Sequence, residues 1–83
     1  MESTVVVTLR DRAFNCDFEL PWNFPLLDLS SRLREVLKTQ FSEQFAEMKE
    51  LHFKTKDGYL SDESKSLRDY GVNTGAYLDL DWR

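Results

Sequence analysis

Cys16 and His52 are the chain's single cysteine and single histidine. A thiol beside an imidazole can make a nucleophile, and with further donors the two can hold zinc. The surrounding pattern denies both roles. Phe14, Cys16, Phe18 and Leu20 alternate with Asn15, Asp17 and Glu19. This period of two places Cys16 among core side chains. His52 alternates with Leu51 and Phe53 and falls on the opposite face of the sheet. The expectation is a buried structural cysteine, with no dyad, no metal centre and no cofactor.

Asp79 and Asp81 form a second pair. Two carboxylates side by side can do acid–base work. Here they share the polar face of a strand whose other face is Leu78 and Leu80. On an open sheet without a cleft they are expected to be solvated, or to face Lys54 and Lys56 across the sheet at about 0.2–1 kcal/mol per pair. Glu43, Glu47 and Glu50 read as a solvated helix face. Asp57-Gly58 lacks the spaced oxygen ligands of a calcium loop and reads as a turn. There is no G-x-S-x-G, no H-E-x-x-H, no P-loop and no dinucleotide fingerprint. The chain is therefore expected not to be an enzyme and to have no catalytic residues.

What remains is contact. Trp22 and Phe24 flank a helix entrance; one is expected to cover the core bottom, the other to stand exposed as a contact site. A second candidate is the polar outer sheet face of His52, Lys54, Lys56, Tyr77 and Asp79. Trp82 continues the inward face of Leu78 and Leu80 and is expected at the core edge.

The whole chain bounds these readings. Its 83 residues make one domain, spanning residues 1–83. Apolar residues are 41% and charged residues 31%, as in ordinary globular domains. A formal charge of −4 argues against nucleic acid, which needs a basic surface, and against an anionic membrane surface. With one cysteine no internal disulfide can form, which fits a reducing compartment. Met1-Glu2-Ser3-Thr4 shows no leader, and no apolar run approaches membrane-spanning length. A cytosolic location is expected, with protein partners.

The elements that must position these residues follow from periodicity. Thr4–Arg10 alternates as a strand, with Val5, Val7 and Leu9 on one face. Val6 breaks the alternation, so the outer face is expected to be partly covered there. Asp11-Arg12-Ala13 lacks the Asn-Gly type of signal, and a looser connection is expected before the second strand. Pro21 ends that strand, and Pro25 marks the start of a helix. Leu26, Leu29, Leu33 and Val36/Leu37 form its apolar stripe, with Asp28 early and Lys38 late, as the helix dipole prefers.

The helix end is open between two readings. Phe41, Phe45 and Met48 could continue the stripe, or Ser42 could cap a second short helix, Glu43 to Met48, after a kink near Gln40. The break is preferred, because an unbroken helix would be long for so small a domain. Leu51–Lys56 is a third strand, Asp57-Gly58 a hairpin turn and Tyr59-Leu60 a short strand. Ser61–Lys65 is a charged loop. Leu67, Tyr70 and Val72 plug into the core, Gly71 and Gly75 give backbone freedom, and Leu78-x-Leu80 closes the sheet. Two hairpins flank one helix. A mixed sheet solves this order, with the last strand parallel to the first and lying between the hairpins.

This pattern resembles the β-grasp fold of ubiquitin, an α+β fold. Leu67-Arg68-Asp69-Tyr70-Gly71-Val72, followed by Leu78-x-Leu80, is similar to ubiquitin's L-S-D-Y-N-I and L-H-L at the same interval. More narrowly, the chain resembles the small bacterial ubiquitin-like proteins called YukD or EsaB. These share a proline before the helix, here Pro25, and a stretch L-x-D-[YC]-G-[IV]-x-x-G-x-x-L-x-[IL], here Leu67–Leu80. The resemblance implies an accessory or regulatory part in a type VII (ESX-like) secretion system, which exports small helical WXG-motif proteins. It also implies that Tyr70 pins a loop through a backbone hydrogen bond. Two departures from ubiquitin carry expectations. The sequence closes on Leu80-Asp81-Trp82-Arg83 without Gly-Gly, so conjugation or sulfur carriage is not expected. Ubiquitin's outer apolar patch is replaced at matching positions by His52 and Asp81, so readers of that patch should not bind. The alternative readings are a generic ubiquitin-like interaction module and, against the terminal residues, a covalent modifier or sulfur carrier processed from a longer precursor.

Overall fold

Among the described residues, two strands, a helix, a single further helical turn and three more strands follow one another. In the computed structural model, which describes residues 3–83, β1 is Thr4–Asp11, β2 Phe14–Pro21, α1 Leu26–Gln40, α2 Ser42–Phe45, β3 Leu51–Thr55, β4 Gly58–Tyr59 and β5 Tyr77–Trp82. The leader reading at Met1 and Glu2 falls outside the described residues.

The strands form one five-stranded sheet in the order β2-β1-β5-β3-β4. β5 runs parallel to β1, setting Leu9 opposite Leu78 and Arg10 opposite Asp79. It runs antiparallel to β3, with His52 opposite Asp81 and Lys54 opposite Asp79. This is the mixed sheet expected from the sequence, and it has the ubiquitin-like β-grasp arrangement that the resemblance implies. The inner face carries Val5, Val7 and Leu9 from β1 and Leu78 and Leu80 from β5, all buried. Leu26, Leu29, Leu33 and Leu37 of α1 are buried in the same core. Val36 is on the edge of that stripe and exposed, and Val6 on the outer face is 39% exposed, so the outer face is only partly covered there.

Both ends of α1 are set by the rest of the fold. Pro25 has extended backbone (φ −55°, ψ 140°), so it precedes the helix rather than opening it, and no side chain caps the first turn. Helix N–H groups left without partners need acceptors. The loop after β4 supplies them: Leu26 N–H donates to the Lys65 carbonyl at 2.8 Å and Leu27 N–H to the Glu63 carbonyl at 3.1 Å. At the other end the break falls at Phe41 (φ −128°, ψ 47°), with Ser42 inside the short turn and no capping side-chain bond. The second helix is therefore shorter than Glu43–Met48. Phe41 instead packs edge-on against Phe14, with ring centroids 5.1 Å apart. The bend carries Phe45 and Met48 into the core, both 0% exposed.

Two hairpin details differ from expectation. Asp11 pairs with Phe14, so only Arg12 and Ala13 connect β1 to β2, and the connection is tight. Arg12 takes the positive φ (51°) that such a turn requires and that glycine or asparagine usually supplies. In the second hairpin Thr55 pairs with Gly58, so the turn residues are Lys56 and Asp57 and Gly58 opens β4. The Thr55 hydroxyl accepts from the Asp57 N–H at 3.1 Å and donates to the Gly58 carbonyl at 3.3 Å.

The closing loop is pinned at two points and turned at two glycines. Ser66 and Asp69 cap each other: Ser66 N–H donates to Asp69 Oδ2 at 3.0 Å and Asp69 N–H to Ser66 Oγ at 3.2 Å. The Tyr70 hydroxyl accepts the Asp62 N–H at 2.7 Å, the loop-pinning bond that the resemblance implies. Gly71 and Gly75 turn the chain at φ 71° and 95°, where a side chain would be strained.

Candidate functional site

Strand alternation leaves one sheet face packed on α1 and the other open. The open face carries Arg10 from β1, His52 and Lys54 from β3, Tyr59 from β4, and Tyr77, Asp79 and Asp81 from β5. Parallel pairing of β1 with β5 brings Arg10 beside Asp79, and the Arg10 Nε–H donates to Asp79 Oδ1 at 2.9 Å. The same guanidinium lies over the Tyr77 ring, 4.5 Å from its centroid. One strand over, the Lys54 ammonium sits 5.4 Å above Tyr59, whose hydroxyl donates to Asp81 Oδ2 at 2.9 Å. That hydrogen bond, followed by the Asp81 charge, holds the Tyr59 phenol above its ordinary pKa, because both favour the protonated form. Tyr59 and Tyr77 remain 53% and 54% exposed, so each presents a large ring face to solvent in a pose set by its neighbours.

This wiring corrects the expected ion pairs. Asp79 does face Lys54 across the sheet, but its ion pair is with Arg10, and Asp81 takes a tyrosine hydroxyl. Lys56 lies in the β3–β4 turn, outside the strand. His52 stays on the outer face, 3.9 Å from Glu50 Oε2, and Cys16 on the inner face, so the two do not meet. Cys16 is half-buried at the core edge rather than buried. No cluster of three or more histidine, cysteine or acidic side chains among the described residues could hold a metal.

The sheet face is also not without a cleft. At its end a depression of about 480 Å³ opens between the β3–β4 turn and the glycine loop. Lys56 and Tyr77 line it, together with Arg10, Asp57, Tyr70 and Gly75; Asp79 and Asp81 do not.

Trp22 and Phe24 stand elsewhere, at the entrance to α1. The Trp22 indole N–H donates to the Val72 carbonyl at 2.8 Å, and the Trp22 carbonyl accepts the Arg68 N–H at 3.0 Å. Trp22 is thus the residue that covers the core edge. Phe24 is half-buried beneath Arg32, 5.0 Å from the ring centroid, so it is not the exposed aromatic expected. Trp82 holds its expected place, packed on Phe45 at 5.6 Å with its indole N–H on Asp11 Oδ2 at 2.7 Å.

Sequence reasoning missed Arg10 and Tyr59 as members of this face. Alternation already put Arg10 on the outer side of β1; the missing signal was the β1–β5 register. The cations over Tyr77 and Trp22, Arg10 and Arg68, come from sequence-distant positions that no local spacing reveals.

No protein-family model matches the chain, and no curated protein matches it in sequence. Solved structures do match. The ubiquitin-like domain of EccD5 from Mycobacterium xenopi superposes with a TM-score of 0.78 at 20% identity, covering 98% of this chain and 96% of that one. The ubiquitin-like domain of the Mycobacterium tuberculosis type VII secretion protein ECCD1 gives 0.63 at 24%, covering 94% and 97%. The ubiquitin-like domain of tubulin-binding cofactor B gives 0.65 at 24%, covering 96% and 90%. The chain has the ubiquitin-like β-grasp fold.

Proposed function

We propose that this chain is a non-enzymatic ubiquitin-like module that acts in the cytoplasm by protein–protein contact through its open sheet face. One observation carries the reading: Tyr59 and Tyr77 are half-exposed yet held in place by Lys54, Asp81 and Arg10. Large amphipathic rings that are already ordered lose little freedom on binding, which makes them effective contact residues. The charges around them give the face a pattern that a partner can match. The partner belongs, in this reading, to a bacterial type VII secretion system. Support comes from the sequence likeness to YukD-type proteins and from near full-length structural similarity to two mycobacterial EccD domains.

Affinity capture of the tagged chain from its native cell tests the assignment. Recovery of an FtsK-type ATPase or other secretion components is expected. Genes for that ATPase and for WXG-motif proteins are expected beside its own. Reproducible capture of an unrelated assembly, in an unrelated gene neighbourhood, would refute the secretion role.

A further inference from the structure

We infer that the cleft at the end of the sheet is a recognition site for a single carboxylate on an acidic side chain of the protein partner. The inference rests on the contact reading above and names the chemistry of what is contacted. Three features of the cleft converge. Arg10 is oriented before any ligand arrives, with Nε on Asp79 and its guanidinium carbon over the Tyr77 ring. Its two terminal nitrogens find no protein acceptor among the described residues, and the side chain is 45% exposed. A guanidinium fixed in this way offers a donor pair matched to one carboxylate. Lys56, exposed in the β3–β4 turn, faces the same space and forms no ion pair among the described residues.

The opposite wall is bare backbone. Gly71 and Gly75 line the cleft, and a Cβ built on either would meet nothing within 4 Å. A ligand can therefore lie against the main chain there, with the partly exposed Tyr70 and Ala76 giving apolar contact beside the charged end. The volume of about 480 Å³ suits one or two residues of a peptide. Asp57 on the rim sets the charge limit. Asp79 already consumes part of the Arg10 charge, so a second negative charge would meet Asp57 with little left to offset it. A monoanionic carboxylate is favoured over a phosphate dianion.

The test is an amide NMR titration of the full chain with two probe peptides, acetyl-Gly-Phe-Glu-Gly-amide and its glutamine twin. The acidic peptide is expected to shift Arg10, Lys56, Gly71, Gly75 and Tyr77, and to bind about tenfold more tightly than the twin. Lys56→Gln, at an exposed turn position without an ion pair among the described residues, should weaken the acidic peptide severalfold while the amide spectrum stays that of the folded chain. Arg10→Lys should weaken it as well, because an ammonium keeps the charge but loses the paired donors. Equal binding of the two peptides, shifts confined to another surface, tighter binding of inorganic phosphate, or no effect of either substitution would each overturn the inference. Failure here leaves the secretion reading untouched, since that is judged by captured components. A failed capture likewise leaves the peptide result standing.

Discussion

The Trp22 indole N–H reaches across the fold to the Val72 carbonyl, 2.8 Å away. One residue leads into α1; the other lies in the loop that precedes β5. Together with the Arg68 N–H on the Trp22 carbonyl, this bond ties the helix entrance to the closing loop. Trp22→Phe keeps most of the ring and removes the donor, and is expected to cost about 1 kcal/mol. The change should appear in the urea midpoint with the slope unchanged. An unaltered midpoint would show that Trp22 acts by packing alone.

Tyr70 pins the charged loop by accepting the Asp62 N–H at 2.7 Å. Tyr70→Phe leaves that amide to solvent. A stability loss of about 1 kcal/mol is expected, together with faster hydrogen exchange at Asp62. Exchange at core amides such as Leu9 should change only through the global loss.

The glycine loop and the first hairpin make opposite predictions. At Gly75 (φ 95°) a methyl group meets open space, so Gly75→Ala costs only backbone strain, about 1–2 kcal/mol. Arg12 already stands at φ 51°, and Arg12→Asn, which tolerates that region better, is expected to raise stability by up to about 1 kcal/mol. Thermal or urea denaturation of the two variants checks both signs.

Acid and base probe different contacts. Asp69 is held below the ordinary carboxylate range, first by the Ser66 N–H and then by its hydroxyl, with Lys65 and Arg68 adding and partial desolvation opposing. Its folded pKa is depressed, so its contribution is present above the ordinary aspartate value of about 4 and is lost as pH falls from there through the folded value. Asp62 behaves alike, through the Ser64 hydroxyl and then the Ser64 N–H. Asp69→Asn should flatten the acid limb of stability against pH. Tyr59 has the reverse sign: its pKa is raised, so its contribution is intact below about pH 10 and is lost as pH rises through the folded value. In a phenol absorbance titration, Asp81→Asn should return Tyr59 toward the ordinary range.

Much of this was legible in the sequence because burial imposes a period. The alternation of Val5, Val7 and Leu9, the stripe from Leu26 to Leu37, and the pairs Leu78 and Leu80 located the core, and strand order then forced the mixed sheet. The break after Gln40 was read from helix length, since no glycine or proline marks it. What carried the break is Phe41 packing on Phe14, a contact between distant segments. The tight first hairpin was missed because arginine occupies the position where glycine or asparagine would have announced it. The second turn was misplaced by one residue because Asp57-Gly58 resembles a central turn pair, while pairing with Thr55 puts Gly58 in the strand. The contact face was half legible. Tyr77, Lys54 and Asp79 follow from alternation, but Arg10 joins Asp79 only through the parallel register, and the cleft exists only where the turn and the glycine loop meet.

What touches Tyr77 is the most direct test of the proposed contact face. A photoreactive amino acid placed at Tyr77 in the native cell should form covalent adducts with a type VII secretion component. The same group at exposed Leu27 on α1 should form few. Adducts from Leu27 in place of Tyr77, or adducts from Tyr77 only with proteins outside any secretion assembly, would contradict it.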